Sequence, residues 1–497
     1  MRISILPIVL CGCLLIHLFL IQNHTLRSDE GTHAILAMFY KDLIINLRSF
    51  NSFNDVLEFA TEYAIKYPKI TPIYPPLYHL LLTTLFLVKE SVFVGRVLNL
   101  SITILTAFVI YKLGLKLLDS EKCAILSSIF FLNFTTIFTH TTRLMMDIPQ
   151  ALVFSLVLLY YLELKKKRRI GWREVLILSI LLTIAFLTKF FSVFLVPTIL
   201  LDSFFSRRKI FKHCLLSIAL SGIIISPYSF LFLKFRLYKF FLKVATSAFH
   251  SRWIYFDFPR NFGFFIGWFV APSTILFLWK NRKNVLLMSW FFLPLLTFMF
   301  FRDCDIRFAY ILMPIYAISC GFTMKKIYSL RSKQRRNIII GLIFGLMILQ
   351  LFHNIYLSYE SFRYPIDEFM GMAEKKGNIL ILSEEPVYSS VYIFYGRLNN
   401  IQGNIIRPCL LLKSNLTDNL LEEWGIRYII DQNQSIDEIA KDSLNLTLAG
   451  ELKTEDYDLR LFETPIEKEV ECNYICRLEG KVCKEDGFSG FLKLISK

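Results

Sequence analysis

Residues 165–209 read KKKRRIGWREVLILSILLTIAFLTKFFSVFLVPTILLDSFFSRRK. The apolar stretch 174–205 inside this segment is longer than a single crossing of a bilayer requires, since one helix spans with about 20 apolar residues. It is broken once, at Thr188-Lys189, and bounded by Lys165–Arg169 on one side and Arg207-Arg208-Lys209 on the other. Clusters of Lys and Arg stay on the cytoplasmic side of a membrane. A stretch that begins and ends at such clusters must therefore enter the bilayer and return. The segment reads as a hairpin of two short helices with Lys189 at its turn.

Outward from the hairpin, further apolar runs occur at 3–22, 92–117, 123–140, 148–164, 213–232, 262–279, 285–301, 308–324 and 337–357. The remaining basic clusters, Arg282-Lys283 and Lys325-Lys326 through Arg335-Arg336, fall between them. Alternate crossings from a cytoplasmic Arg2 put every cluster inside, provided that Pro75–Val88 does not cross. That segment is short and opens with two prolines, as a re-entrant or interfacial segment does. The expected fold is an all-α polytopic membrane protein of eleven spans with its N-terminus in the cytoplasm and its tail outside. A secretory signal peptide over 1–22 is the competing reading. The apolar run exceeds a usual signal core and lacks an Ala-x-Ala-like cleavage site, so a first span is preferred.

Composition agrees. Of 497 residues, 55% are hydrophobic and 19% charged, against roughly 45–50% and about 25% in soluble proteins. The net charge of +16 divides into +24 before residue 358 and −8 from there to the end. Basic residues confined to the apolar part describe membrane orientation and exclude a nucleic-acid-binding face. Two regions follow: a transmembrane domain over 1–357, with a first outer loop at 23–91, and an extracytoplasmic soluble domain over 358–497. The tail reads as a small α/β domain, with strands at Asn378–Leu382, Ile426–Ile430, Asn445–Leu452 and Asp458–Phe462 and a helix at Leu420–Trp424. Its cysteines, Cys409, Cys472, Cys476 and Cys483, allow one or two disulfides in an oxidising exterior, with the pairing open.

This topology gathers a small polar set on the outer face: Asp29 and Glu30 after the first span, Arg143 and Asp147 before the fourth, Lys189 at the hairpin turn, and Arg307. Ionisable groups at a membrane boundary are costly unless paired or hydrated, and they point to function. The bland alternative is that they mark helix ends, Asp29-Glu30 favouring the N-terminus of a following helix. A carboxylate beside a low-dielectric wall can serve as general base toward a hydroxyl. Arg and Lys nearby can hold a phosphate, Arg bidentately. Base, cations and a lipid-accessible groove suit displacement of a lipid-linked phosphate by an acceptor hydroxyl.

At these residues the chain resembles the integral-membrane glycosyltransferases of the GT-C superfamily, in the branch of protein O-mannosyltransferases and lipid A aminoarabinose transferases (family-39-like). The resemblance runs in order through Ser28-Asp29-Glu30-Gly31, Tyr74-Pro75-Pro76-Leu77-Tyr78, Gly95-Arg96-Val97-Leu98-Asn99 and Tyr111-Lys112-Leu113-Gly114. It continues through Arg143-Leu144-Met145-Met146-Asp147-Ile148-Pro149, Leu187-Thr188-Lys189 and Arg307–Pro314. It implies a polyprenyl-phosphate (dolichyl- or undecaprenyl-phosphate) sugar donor and inverting transfer to a lipid, glycan or protein acceptor. It also implies Asp29 as the catalytic carboxylate, Glu30 as its support, Asp147 as a group orienting acceptor or base, and Arg143, Lys189 and Arg307 as donor-phosphate ligands. Ile73-Tyr74 stands where relatives often carry His or Lys before the proline pair, so phosphate contacts from that loop are not carried over. Typical protein O-mannosyltransferases also carry an inserted soluble domain, which this sequence lacks.

No cofactor is expected. Asp29 and His33 share a helix face, yet one His and one carboxylate fall short of a metal site; some relatives on this fold do use a divalent ion. His17 and His24 read as interfacial or structural. The Asn-x-Ser/Thr triplets at Asn23, Asn415, Asn433 and Asn445 do not establish glycosylation. Two other functions compete. A transporter or lipid flippase would place charges at mid-span and show two related halves. An O-antigen-ligase-like glycan transferase would depend on His250 and Arg252 instead of Asp29.

Overall fold

A computed structural model describes residues 5–21, 26, 29–66, 74–206, 208–234, 255–300 and 306–360. In the tail it describes 366–373, 378–382, 389–399, 405–406, 421–422, 426–432, 446–453 and 458–465. His24, His250, Arg252, the four tail cysteines and the Asn of each triplet named above lie outside the described residues, as does most of the expected helix at 420–424.

Each apolar stretch marked in the sequence carries a helix. In order these include α1 (Ile5–Ile21), α2 (Asp29–Ile45), α3 (Phe53–Lys66), α4 (Leu77–Phe86), α5 (Val92–Leu118) and α6 (Glu121–Asn133). Next come α7 (Thr135–Thr141), α8 (Asp147–Lys166), α9 (Trp172–Thr188), α10 (Leu195–Ser206) and α11 (Arg208–Lys234). Gly267–Lys280, Val285–Phe300, Met313–Tyr328 and Lys333–Glu360 complete the apolar helices. Five described helices are long and apolar enough to cross a bilayer, or six if α6 and α7 form one bent span. Leu6–Ile21, Leu77–Phe86, Phe190–Ser206 and Val285–Met299 are shorter apolar helices. The ten residues of α4 rise about 15 Å, half of a hydrocarbon core of about 30 Å, as expected of a segment that does not cross.

The hairpin folds as its sequence directs. α9 stops at Thr188, Lys189 is extended, and the chain re-forms as a 3-10 turn at Phe190–Phe194 that leads into α10.

Contacts divide the chain into two compact units. One comprises Met1–Gln22, Ile73–Tyr78 and Arg96–Ser361; the other comprises Asn23–Pro72, His79–Gly95 and Phe362–Lys497. In the first unit, Gly321 of helix Met313–Tyr328 lies against α6 so closely that a Cβ there would meet the Cys123 carbonyl oxygen at 2.6 Å. A small residue is what lets two membrane helices approach to backbone contact. Between α6 and α7 the axis turns by 67° at Phe134, and a broken helix in a membrane needs new partners for its freed backbone groups. Asn354 supplies one, donating to the Asn133 carbonyl at 2.9 Å and accepting from the Thr135 hydroxyl at 2.8 Å. Gln350 extends the network, donating to Asn354 at 2.8 Å and accepting from the Phe265 N–H at 3.0 Å.

The second unit holds a five-stranded mixed sheet ordered β2-β1-β3-β5-β4, where β1 is Asn378–Leu382, β2 Ile405–Ile406, β3 Ile426–Gln432, β4 Thr447–Lys453 and β5 Asp458–Glu463. β1 runs parallel to β2 and β3, while β5 is antiparallel to β3 and β4. Ile379, Leu380 and Ile381 are all buried, the continuous apolar run of a strand covered on both faces. Asp431 and Arg460, paired across β3 and β5, meet at 2.6 Å.

Candidate active site

In the first unit the site is built around the loop that joins α7 to α8. Asn99, the last residue of the Gly95–Asn99 motif and part of α5, is buried and donates to the carbonyls of Arg143 and, at 2.9 Å, Met145. The motif on α5 thereby holds the Arg143–Pro149 motif in place. Asp147 is the first residue of α8, where the positive end of the helix dipole favours a carboxylate. Lys189, extended at the break after α9, donates its ammonium to Asp147 at 2.5 Å and lies 5.6 Å from the Phe191 ring centre. The Asp147 side chain is 2% exposed and that of Lys189 14%, so this is a buried pair.

Arg307 lies on the 3-10 segment Ile306–Leu312. That segment is pinned by the Tyr310 hydroxyl, which donates to the Thr136 carbonyl at 2.7 Å, and by the Trp290 indole, which donates to the Ile311 carbonyl at 2.9 Å. Asp147 is within electrostatic reach of Lys189, Arg307 and His140, and His140 of Arg143 and Arg307. The structure therefore brings together the four membrane-domain residues picked out in the sequence. His140 is the addition. It is buried, bonds through Nδ1 to the Thr136 carbonyl at 2.8 Å, and packs edge-on against Tyr310 at 5.3 Å. Its placement one helical turn before Arg143 was the available signal.

In the second unit Asp29 and Glu30 form the first turn of α2, with Glu30 buried and Asp29 half-buried. One turn on, His33 Nδ1 meets His79 Nε2 at 3.0 Å, both rings buried, so α2 is joined to α4 by a His–His hydrogen bond. The Thr83 hydroxyl adds a bond to the Ala37 carbonyl at 2.9 Å. Among the described residues, no group of three His, Cys, Asp or Glu could hold a metal ion.

Chemically, the described residues of the membrane cluster set one carboxylate, Asp147, beside Lys189 and within reach of Arg307, with Arg143 in reach of His140. Cations placed beside a buried carboxylate can receive an anion such as phosphate.

Residues 73–230 match the family model described as dolichyl-phosphate-mannose-protein mannosyltransferase. The match takes in the motifs from Tyr74 through Lys189; Ser28–Gly31 and Arg307–Pro314 lie outside it. Among solved structures, ArnT from Cupriavidus metallidurans bound to undecaprenyl phosphate superposes with a TM-score of 0.63 at 10% identity, covering 91% of this chain and 97% of that one. The Archaeoglobus fulgidus oligosaccharyltransferase tethered with an acceptor peptide containing the NVT sequon gives 0.58 at 10% identity, covering 87% and 70%. The archaeal oligosaccharyltransferase AglB from the same organism, in complex with an inhibitory peptide and a dolichol-phosphate, gives 0.57 at 11% identity over 86% and 69%. The fold is GT-C. No curated protein sequence matches the chain. The family-model match and the ArnT-like fold bear out the resemblance to the mannosyltransferase and aminoarabinose-transferase branch, and with it a membrane-embedded enzyme of the glycosyltransferase class.

Proposed function

We propose that this glycosyltransferase moves a monosaccharide from a polyprenyl phosphate to an acceptor hydroxyl on the extracytoplasmic face, with inversion. The acceptor oxygen attacks the anomeric carbon as the bond from that carbon to the phosphate oxygen breaks. The hydroxyl proton passes to Asp29, which Glu30 supports, and the polyprenyl phosphate leaves. Arg143, Lys189 and Arg307 hold the phosphate and stabilise the charge that grows on it, while Asp147 fixes the Lys189 ammonium. The proposed orientation has a cytoplasmic N-terminus, eleven spans and a tail outside. The chain's partners are then the lipid-phosphate donor, a lipid, glycan or protein acceptor, and the surrounding membrane lipids.

The observation that carries this reading is the Asp147–Lys189 pair at 2.5 Å with Arg307 in reach and Arg143 in reach of His140, all but Arg307 inside the family-matched segment. It is supported by the undecaprenyl phosphate and dolichol-phosphate bound in the matching structures. Purified protein reconstituted with dolichyl- or undecaprenyl-phosphate sugars should transfer sugar, in the presence of a chelator as in its absence. Asp29→Asn should abolish that transfer; unchanged turnover overturns the assignment.

A further inference from the structure

One tail helix, Ser389–Leu398, grips α2 near both ends, within the second unit. Three residues ahead of Asp29, the Leu26 N–H donates to the Tyr395 hydroxyl at 3.0 Å. Toward the far end of α2, Arg397 donates to both oxygens of Asp42, at 2.6 and 3.0 Å. The same guanidinium donates to the Tyr63 hydroxyl of α3 at 2.8 Å and to Glu90, just ahead of α5, at 2.9 Å. Lys41 closes the network on Glu90 at 2.6 Å. Between the two grips Phe394 is buried and lies 6.5 Å, ring centre to ring centre, from Phe86 of α4.

A bidentate guanidinium fixes orientation as well as distance, which an ammonium does not. The Tyr395 bond adds a second fixed point on the opposite side of Asp29 and Glu30. Two points restrain both the axial position and the rotation of α2. Apolar burial alone would not fix these so closely, because it is non-directional.

We propose that Tyr395 and Arg397 are positioning residues, through which the tail domain sets the place and rotation of the helix that carries Asp29 and Glu30. The tail is then part of the catalytic apparatus. This rests on the reading of Asp29 as base, so the experiment separates the two. The full chain, in lipid nanodiscs, is compared with Tyr395→Phe, Arg397→Lys, Arg397→Ala and Asp29→Asn. Two readouts are taken: amide hydrogen exchange across 26–45, and turnover of dolichyl-phosphate mannose. Tyr395→Phe removes one hydroxyl and spares the core, so it stays informative if Arg397→Ala fails to fold.

The expected result is exchange across 26–45 faster by about tenfold or more in Arg397→Ala, by less in Tyr395→Phe and least in Arg397→Lys. Turnover should fall in the same order with donor KM held within about twofold, since misplacing a reacting group costs rate more than binding. Native exchange across 26–45 in both Tyr395→Phe and Arg397→Ala overturns the proposal. Faster exchange in these variants beside full turnover by Asp29→Asn would instead leave the grip standing and remove the base.

Discussion

Two charge clusters in this molecule are built on opposite plans. In the membrane unit one carboxylate, Asp147, is buried beside Lys189, with Arg307 in reach and Arg143 in reach of the adjacent His140. In the other unit two carboxylates, Asp42 and Glu90, face two cations, Arg397 and Lys41, and these side chains are 17–22% exposed. The second cluster is balanced, and its hydrogen bonds run from element to element, so it fixes shape. Among the described residues the first is weighted toward positive charge where charge is expensive. An imbalance of that kind suits a site that receives an anion, as proposed for this cluster, whereas the balanced cluster joins elements.

The sharpest way to break this comparison is to remove Lys189. A buried acid left without its partner costs about 3–5 kcal/mol, whereas replacing a whole buried pair by apolar groups is often neutral. Lys189→Met should therefore lower thermal stability in detergent strongly. Adding Asp147→Leu should recover most of that stability while activity stays lost. A single variant as stable as the native chain would mean that the pair is solvated. The balanced cluster should respond more gently. Arg397→Lys keeps the charge and loses the fork, an expected cost of about 1–2 kcal/mol given the worth of a charged hydrogen bond. Salt near 1 M, where the Debye length falls to about 3 Å, should loosen the partly exposed Asp42–Arg397 network and leave the Lys189–Asp147 pair unmoved. Hydrogen exchange in α2 and at the hairpin turn reads both.

The architecture was legible because bilayer physics writes it into composition: hydropathy locates the spans, and Lys189 at the hairpin break could be read from sequence. The membrane cluster was legible for the same reason, since acids are scarce in the first 357 residues and each one stands out. His140 was less so, because a single His in the short Thr-rich α7 carries no period or charge pattern of its own and only its place three residues before Arg143 marks it. The grip of Arg397 on Asp42 was also hidden. It joins residues 355 positions apart on the exposed part of the chain, where charged residues are common and none is conspicuous. Helix Ser389–Leu398 and strand β2 went unmarked because short elements in a packed domain owe their form to tertiary contacts more than to propensity.

The mildest effect expected is at the start of α3, and it sets the aqueous limit of the comparison. Ser52 and Asp55 form a reciprocal cap: the Ser52 hydroxyl donates to Asp55 at 2.6 Å, and the N–H groups of Asn51 and Ser52 donate to the same carboxylate at 2.6 and 3.1 Å. The Ser52 hydroxyl, and after it the Asn51 N–H, hold the Asp55 carboxyl below the usual carboxylate range. A carboxylate whose folded pKa is depressed contributes stability above its unfolded pKa of about 3.9, and that contribution fades as pH falls through the lower folded value. The first turn of α3 should therefore fray as pH falls below about 4, and Asp55→Asn should show the frayed state at neutral pH with little further acid dependence. Exchange of the amides at 51–55, followed against pH in both proteins, tests this. An acid response that survives in Asp55→Asn would assign the fraying to another group. The Asp55 carboxylate gains only its local cap, whereas Asp147 is held by a buried ion pair.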